Sequence, residues 1–120
     1  MAVRAIRGAT MLRADDRAEM LEAVPELLRT IFERNDLDNE SLISIVLTAT
    51  PDLHSEFPAV GARELGLGDV PLLCTQELAI DGALPRVVRV LIHADIERPR
   101  SEIAHVYLRG TEVLRRDLAQ

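Results

Sequence analysis

One long helix is predicted by apolar residues that recur every three or four positions between residues 16 and about 35. The apolar stripe comprises Met20, Leu21, Val24, Leu27, Leu28, Ile31 and Phe32. Asp15 or Asp16 is expected to cap the first turn, with Glu19 as the reciprocal partner of Asp16. Pro25 lacks a backbone donor and clashes with the preceding turn, so the helix is expected to kink or break there.

Five short apolar segments predict β-strands at residues 2–8, 43–49, 70–78, 86–94 and 105–108. The first strand is expected to end at Gly8, and the fourth is apolar enough that both of its faces should be covered. Short helical turns are expected at residues 39–44, 58–65, 99–102 and 111–118. Because helices and strands do not alternate strictly, the pattern predicts an α+β fold, a mixed five-stranded sheet covered by one long helix.

Length and composition narrow the classes of function. The 120 residues fit one domain, residues 1–120, and a pocket shared between subunits would compete less with its small core than an internal one. The net charge of -6 and the aromatic content of 2% argue against a nucleic-acid partner. A single cysteine, Cys74, allows no intrachain disulfide and favours the reducing cytoplasm. Neither a signal peptide nor a membrane-spanning stretch is predicted.

Arginines inside apolar strands are the main chemical signal. Arg7 lies in the first strand and Arg89 in the fourth, and each follows another arginine, Arg4 or Arg86, by three positions. This spacing puts the two members of a pair on opposite faces of a strand, so one member should point toward the interior or a pocket. A buried guanidinium needs a partner, which is either a protein carboxylate in an internal salt bridge or an anionic ligand.

Glu77 and Cys74 lie near the end of the third strand and are further candidates. Glu77 is a possible salt-bridge partner for an inward arginine, and Cys74 is expected to be a small buried side chain. His54, His93 and His105 share no metal-ligand spacing, and no serine lies in a nucleophile motif. Spacing alone therefore predicts a small α+β domain with inward arginines and does not identify a reaction.

Short motifs in consistent order along almost the whole chain resemble the trimeric, bacillus-type family of chorismate mutases. These motifs are Arg4-Ala5-Ile6-Arg7-Gly8-Ala9-Thr10, Thr48-Ala49-Thr50-Pro51-Asp52-Leu53-His54, Phe57-Pro58-Ala59, Ala62-Arg63-Glu64-Leu65, Val70-Pro71, Cys74 with Gln76-Glu77, Arg89-Val90, His105-Val106-Tyr107-Leu108 and Val113-Leu114-Arg115. The resemblance implies a homotrimer with a barrel-like core and active sites in clefts between subunits. It also implies an isomerase, which converts chorismate to prephenate by Claisen rearrangement in phenylalanine and tyrosine biosynthesis, with no metal or cofactor.

The resemblance also implies roles for individual residues. Arg89 would lie beside the ether oxygen, which gains negative charge as its bond to carbon breaks. Arg7 would bind a substrate carboxylate, with Tyr107 donating beside it. Glu77 would accept from the ring hydroxyl, with Cys74 nearby. The remaining implied contacts with the substrate, at the wall and mouth of the cleft, are Phe57, Arg63, Leu73, Leu114 and Arg115.

Two other functions are compatible with a domain of this kind. A trimeric deaminase of enamines or imines has a similar fold and also binds a carboxylate through arginine, but the order of the motifs argues against it. A non-catalytic sensor would only need to bind an anionic metabolite without converting it. The combination of Glu77, for a hydroxyl, with Arg89, for an ether oxygen, favours catalysis over binding alone.

Overall fold

The computed structural model describes residues 2–118 and the side chains of residues 2–114. The strands in this part of the chain are β1 (Val3–Met11), β2 (Leu42–Ala49), β3 (Leu72–Gln76), β4 (Val87–Asp95) and β5 (Val106–Tyr107). The α-helices are α1 (Arg17–Asn35) and α2 (Pro58–Glu64). Short 3₁₀ helices are formed by Asn39–Ser41, Arg100–Glu102 and Thr111–Leu118.

The strands form one sheet in the order β3-β2-β4-β1-β5. Strand β4 pairs antiparallel with both β1 and β2, whereas β3 is parallel to β2 and β5 is parallel to β1. The sheet is therefore mixed and five-stranded, and the α+β prediction is confirmed. The second helix, α2, corresponds to the short helical turn expected at residues 58–65.

One face of the sheet carries the core. Helix α1 packs on β1 and β5, and α2 packs on α1, β2 and β3. The buried cluster between them includes Ile6, Leu27, Ile31, Leu47, Val88 and Ile92. Alternate residues of β4 are buried against the helices, while Arg89, Leu91 and His93 on the other face are only partly covered or exposed. Within one chain β4 is thus covered on a single face, contrary to the expectation from its sequence.

The cap of helix α1 is confirmed, but the role of Glu19 differs from its prediction. Asp16 caps the helix, because its Oδ2 accepts from the Glu19 backbone N–H at 2.9 Å. The Glu19 carboxylate reaches further back than expected and accepts from the N–H groups of Arg13 and Ala14 at 2.7 and 3.3 Å. The helix also continues without a break through Pro25, which is buried beside α2. Burial of this face compensates for the backbone hydrogen bond that a proline cannot donate.

Several strand boundaries also differ from the prediction. Strand β1 continues through Gly8 to Met11, because Gly8 is needed for close packing rather than for a turn. Strand β3 is shorter than predicted, and β4 begins at Val87. Arg86 precedes β4 in the left-handed region with φ of 52°, where its N–H donates to the Asp52 carboxylate. Among the described residues, no helix has the length and apolar character needed to cross a bilayer.

Candidate active site

The open face of the sheet brings Arg7 and Arg89 together. Ala9 pairs with Arg89 and Arg7 pairs with Leu91 in the register of β1 and β4, so the two arginines occupy diagonal positions on one face. Both line a cavity of about 820 Å³. The other lining residues are Gly8, Val46, Thr48, Gln76, Glu77, Leu78, Ile80, Ala83, Val90, Leu91, Tyr107 and Leu114.

The companion arginines, Arg4 and Arg86, donate hydrogen bonds to backbone carbonyls. Arg4 donates from Nε to the carbonyl of Arg98 at 2.7 Å, and Arg86 donates from Nε to the carbonyl of Leu12 at 2.9 Å. Of these four arginines, Arg4 and Arg86 are thus bound to backbone carbonyls, and Arg7 and Arg89 face the cavity. The expectation that one arginine of each pair points into a pocket is met.

A carboxylate and a guanidinium are paired inside this cavity. The Arg89 Nε lies 3.2 Å from Oε2 of Glu77, and the same oxygen accepts from the Thr48 hydroxyl at 2.5 Å. The Arg89 side chain is 48% exposed, so its guanidinium remains open to a ligand while it is paired. The two partners considered from the sequence, an internal carboxylate and an anionic ligand, are therefore compatible at Arg89. Thr48 was not among the residues selected from the sequence.

Strand β5 brings Tyr107 to the same cavity. Ala9 of β1 is the register partner of Tyr107, and the backbone N–H of Arg7 donates to Nδ1 of His105 at 2.9 Å. Just before His105, the buried Asn35 at the end of α1 binds both the carbonyl and the N–H of Ala104, each at 2.8 Å. The end of the helix thus fixes the segment that carries Tyr107. His105, which the sequence gave no metal or catalytic role, helps to hold the backbone of Arg7.

The turn after β5 is held by ion pairs to α1. The Arg109 guanidinium lies 2.9 Å from Glu26, 3.0 Å from Glu22 and 3.7 Å from Glu19. The hydrogen bond to Glu26, followed by that to Glu22, raises the pKa of Arg109. This anchor fixes the start of the 3₁₀ segment Thr111–Leu118, which presents Leu114 to the cavity.

A second cavity, of about 430 Å³, holds two other residues singled out from the sequence. Phe57 and Cys74 line it, with Gln76 shared between this cavity and the first. Phe57 is 69% exposed, which is high for an aromatic side chain. Within one chain, Phe57 and Cys74 are therefore in a different recess from Arg89.

Two sequence candidates whose side chains are described, Arg63 and Leu73, line neither of these cavities. Arg63 is exposed on α2, and Leu73 is 62% exposed on β3. The side chain of Arg115 lies outside the described side chains. The resemblance grouped these three with Arg89, and the single chain does not bring Arg63 or Leu73 to that cavity.

Two carboxylates, of Asp15 and Glu56, hold the loop that carries Phe57 through hydrogen bonds. Asp15 accepts from the backbone N–H groups of His54 and Ser55 and from the Ser55 hydroxyl, at 3.0, 3.0 and 2.6 Å. The Ser55 hydroxyl is the largest cause that lowers the pKa of Asp15. Glu56 accepts from the N–H of Phe57, which lowers the pKa of Glu56. These bonds fix the backbone from which Phe57 projects.

Comparison with known proteins gives consistent matches over nearly the whole chain. The family model described as chorismate mutase type I matches residues 3–118. Chorismate mutase AroH of Bacillus subtilis (strain 168) is 42% identical over 120 residues, which cover 99% of this chain and 94% of that relative. Chorismate mutase AroH of Thermus thermophilus is 42% identical over 117 residues, covering 97% and 96%. The solved structure of a chorismate mutase from Clostridium thermocellum matches with a TM-score of 0.89 at 37% identity, covering 91% of this chain and 97% of that one.

Proposed function

The chain belongs to the chorismate mutase type I family, and from that premise we propose that the cavity around Arg89 is the active site in which chorismate rearranges to prephenate. Chorismate mutase activity, an isomerisation in aromatic amino-acid biosynthesis, is the function of this family member. The matches favour this activity over the deaminase and the sensor. The observation that carries the site assignment is the meeting of Arg7, Glu77 and Arg89 in one cavity.

Arg89 is the residue to which we assign the rate-determining electrostatics. The rearrangement breaks one carbon–oxygen bond and forms one carbon–carbon bond within a single molecule, so it needs no redox partner or co-reactant. The ether oxygen gains negative charge as its bond breaks. Because Nε of Arg89 is engaged by Glu77, the terminal nitrogens of the guanidinium are the donors available to that oxygen. Their attraction is stronger in the transition state than in the ground state, which lowers the barrier.

The other polar groups of the cavity hold the substrate in a reactive shape. In this proposal Glu77 accepts a hydrogen bond from the ring hydroxyl, and Arg7 binds a carboxylate beside Tyr107. Leu114 closes the apolar side of the cavity. Fixing the hydroxyl and a carboxylate together favours the compact conformer in which the reacting carbons are close, and this accounts for part of the rate enhancement.

We propose that the complete site is shared between subunits of a homotrimer with a barrel-like core. Several large apolar side chains are exposed in one chain: Phe57, Leu78 and Ile80, which line the two cavities, and also Leu73 and Val113. Exposed apolar groups in such number are typical of a surface that packs against another chain. A neighbouring copy would bring Phe57 and Cys74 to the Arg89 cavity, with Arg63, Leu73 and Arg115 at its mouth. We further propose that residues 1–120 form one domain that works in the cytoplasm, which the single cysteine supports.

The test of the proposed function is the loss of chorismate absorbance in the ultraviolet after addition of purified protein. Arg89→Gln is expected to lower kcat/KM at least about a hundredfold, because removal of a preorganised donor typically costs that much. Arg89→Lys should also lose much of the activity, since an ammonium does not reproduce the planar fork.

Arg29→Gln, on the exposed surface of α1, is the matched control and should leave turnover unchanged. Thermal unfolding of each variant separates a catalytic defect from a folding defect. Near-normal turnover of a folded Arg89→Gln protein would remove the proposed role of Arg89. Wild-type protein that leaves chorismate intact would refute the function itself.

A further inference from the structure

Thr48 lies beside the paired charges of the site. Its hydroxyl donates to Oε2 of Glu77 at 2.5 Å, and its side chain lines the same cavity as Arg89. The hydroxyl is partly buried, so its bond to the carboxylate is less exposed to competition from water than a surface contact. The motif that contains Thr48 contributed to the family resemblance, but neither the motif nor its spacing gave this residue a role.

The register of the sheet explains why the hydroxyl reaches this carboxylate. Thr48 is on strand β2, between β3 and the central strand β4, and it pairs with Arg89 of β4 on one side and with Thr75 of β3 on the other. Glu77 follows β3 and is held by a backbone bond from its N–H to the carbonyl of Ala49 at 3.0 Å. Thr48 therefore lies between the two charged residues. Its β-branched side chain has few rotamers, so the direction of its hydroxyl is well defined.

The two oxygens of Glu77 have different environments as a result. Oε2 accepts a hydrogen bond from the Thr48 hydroxyl at 2.5 Å and lies 3.2 Å from the Arg89 Nε in an ion pair. Among the described residues, Oε1 receives no hydrogen bond, and Glu77 lines the cavity. One oxygen is thus occupied by the protein, and the other is available to a ligand.

We propose that Thr48 is a positioning residue for the reaction, an inference that rests on the proposed function of the cavity. By holding Oε2, its hydroxyl directs Oε1 toward the substrate hydroxyl. It also limits how far Glu77 can turn onto Arg89. Without this donor, the carboxylate is free to form a two-pronged pair with the guanidinium, which is the preferred geometry of these groups. Such a pair, on Nε and its neighbouring terminal nitrogen, would occupy a donor that the ether oxygen needs.

The experiment compares substitutions that keep or remove the hydroxyl. Thr48→Val has a similar shape without the hydroxyl and is expected to lower kcat/KM for chorismate about tenfold to a hundredfold, the usual range for losing a hydrogen bond to a charged group. The effect should include kcat, because Arg89 acts in the transition state. Thr48→Ser restores the donor and should recover most of the loss. Thr30→Val is the matched control, since its hydroxyl bonds to the carbonyl of Glu26 within helix α1.

A double-mutant cycle tests whether Thr48 acts through Glu77. In a Glu77→Gln background, Thr48→Val is expected to cause little further loss, because the carboxylate that it positions is already absent. The cycle is measured on turnover and also on prephenate binding by calorimetry, which requires no activity. Thermal unfolding verifies folding, and Thr48→Ala takes the place of Thr48→Val if the valine protein fails to fold.

The outcomes separate this inference from the function on which it rests. If the wild-type protein is active and Thr48→Val keeps the same kcat/KM, the role of Thr48 is overturned while the proposed function stands. An equal loss from Thr48→Val with and without the Glu77 carboxylate also overturns it, because the residue would then act independently. A Thr48→Ser protein as impaired as Thr48→Val points to packing instead of the hydrogen bond. Inactivity of the wild-type protein toward chorismate would instead refute the proposed function.

Discussion

Gly8 lies where Ile31 of helix α1 packs tightly against the sheet. A methyl group added at this position would lie 2.8 Å from Cδ1 of Ile31 and 3.1 Å from both the Val106 carbonyl and Cγ1 of Val90. A side chain therefore fits only if Ile31 shifts and the Val106 carbonyl and Val90 move by a few tenths of an ångström. Glycine in the middle of β1 allows α1 to seal the core while the same strand presents Arg7 on its other face.

We expect Gly8→Ala to lower the free energy of unfolding by about 1–3 kcal/mol, the usual cost of inserting atoms into a packed core. Urea unfolding at fixed protein concentration measures the change. Gly68→Ala is the control, because nothing lies within 4 Å of a methyl group added there. Adding Ile31→Val to Gly8→Ala should recover part of the loss, since it removes the nearest clashing atom. Equal stability of the two alanine variants would contradict this account.

Individual residues show which features of the site and fold could be predicted from the sequence. That one arginine of each pair faces a pocket was predictable, because strand alternation is a local property, whereas the choice of Arg7 and Arg89 followed from the family resemblance. The end of β1 at Gly8 was predicted wrongly, because the same glycine that terminates many strands here makes room for Ile31. Thr48 was missed because its contact with Glu77 depends on the pairing of β2 with β3, and that register is absent from either segment alone.

At the scale of elements, helix α1 is held at its first turn by Glu19. Its carboxylate accepts from the N–H groups of Arg13 and Ala14, and these bonds join the helix to the end of β1. The N–H of Arg13 is the largest cause that lowers the pKa of Glu19 from its ordinary value of 4.5. A carboxyl with a lowered pKa stabilises the fold when it is charged, so its contribution is complete above that ordinary value and declines as the pH falls through the lowered one.

The expected result is a pH-dependent difference between wild-type protein and Glu19→Gln. Near pH 7 the variant should be less stable by about 1–3 kcal/mol, because hydrogen bonds to a charged acceptor are lost. The difference should narrow as acid protonates Glu19 in the wild-type protein. Thermal unfolding at several pH values measures it, with Glu33→Gln on the exposed surface of the same helix as the control. A difference that stays constant down to strongly acidic pH would exclude the charge as its cause.

The elements themselves were largely predictable from periodicity. The span of α1 and the positions of all five strands followed from apolar spacing, because these patterns reflect contacts within one element. Of the kink or break expected at Pro25, the break did not occur, since packing of α1 on α2 overrides a local preference. The bonds of Glu19 to Arg13 and Ala14, instead of to its own cap, were not predictable because they depend on the path of the chain before the helix.

At the scale of the whole molecule, the residues implied by the family resemblance separate into two groups. Arg7, Glu77 and Arg89 share one cavity, whereas Phe57 and Cys74 line another. Neither spacing nor secondary structure predicts this division, because it depends on the tertiary fold. The proposed site shared between two subunits would account for both the division and the exposure of Phe57.

Subunit mixing tests this arrangement directly. Arg89→Gln damages the half of the site formed by the Arg89 cavity, and Phe57→Glu damages the other half by placing a carboxylate beside an anionic substrate. Each protein alone should be nearly inactive. After the two are unfolded together in equal amounts and refolded, roughly a quarter of the sites in a cyclic oligomer should have two intact halves, since each half is drawn at random.

Activity recovered on mixing therefore identifies a shared site, because a site contained in one chain would always carry one of the two defects. Refolding each variant separately and then combining them without exchange is the control, and it should give no recovery. Light scattering on the refolded samples establishes that the oligomer has re-formed. Mixed oligomers that form normally and remain inactive would place Phe57 and Arg89 in independent sites, and the exposed apolar surface would then serve assembly alone.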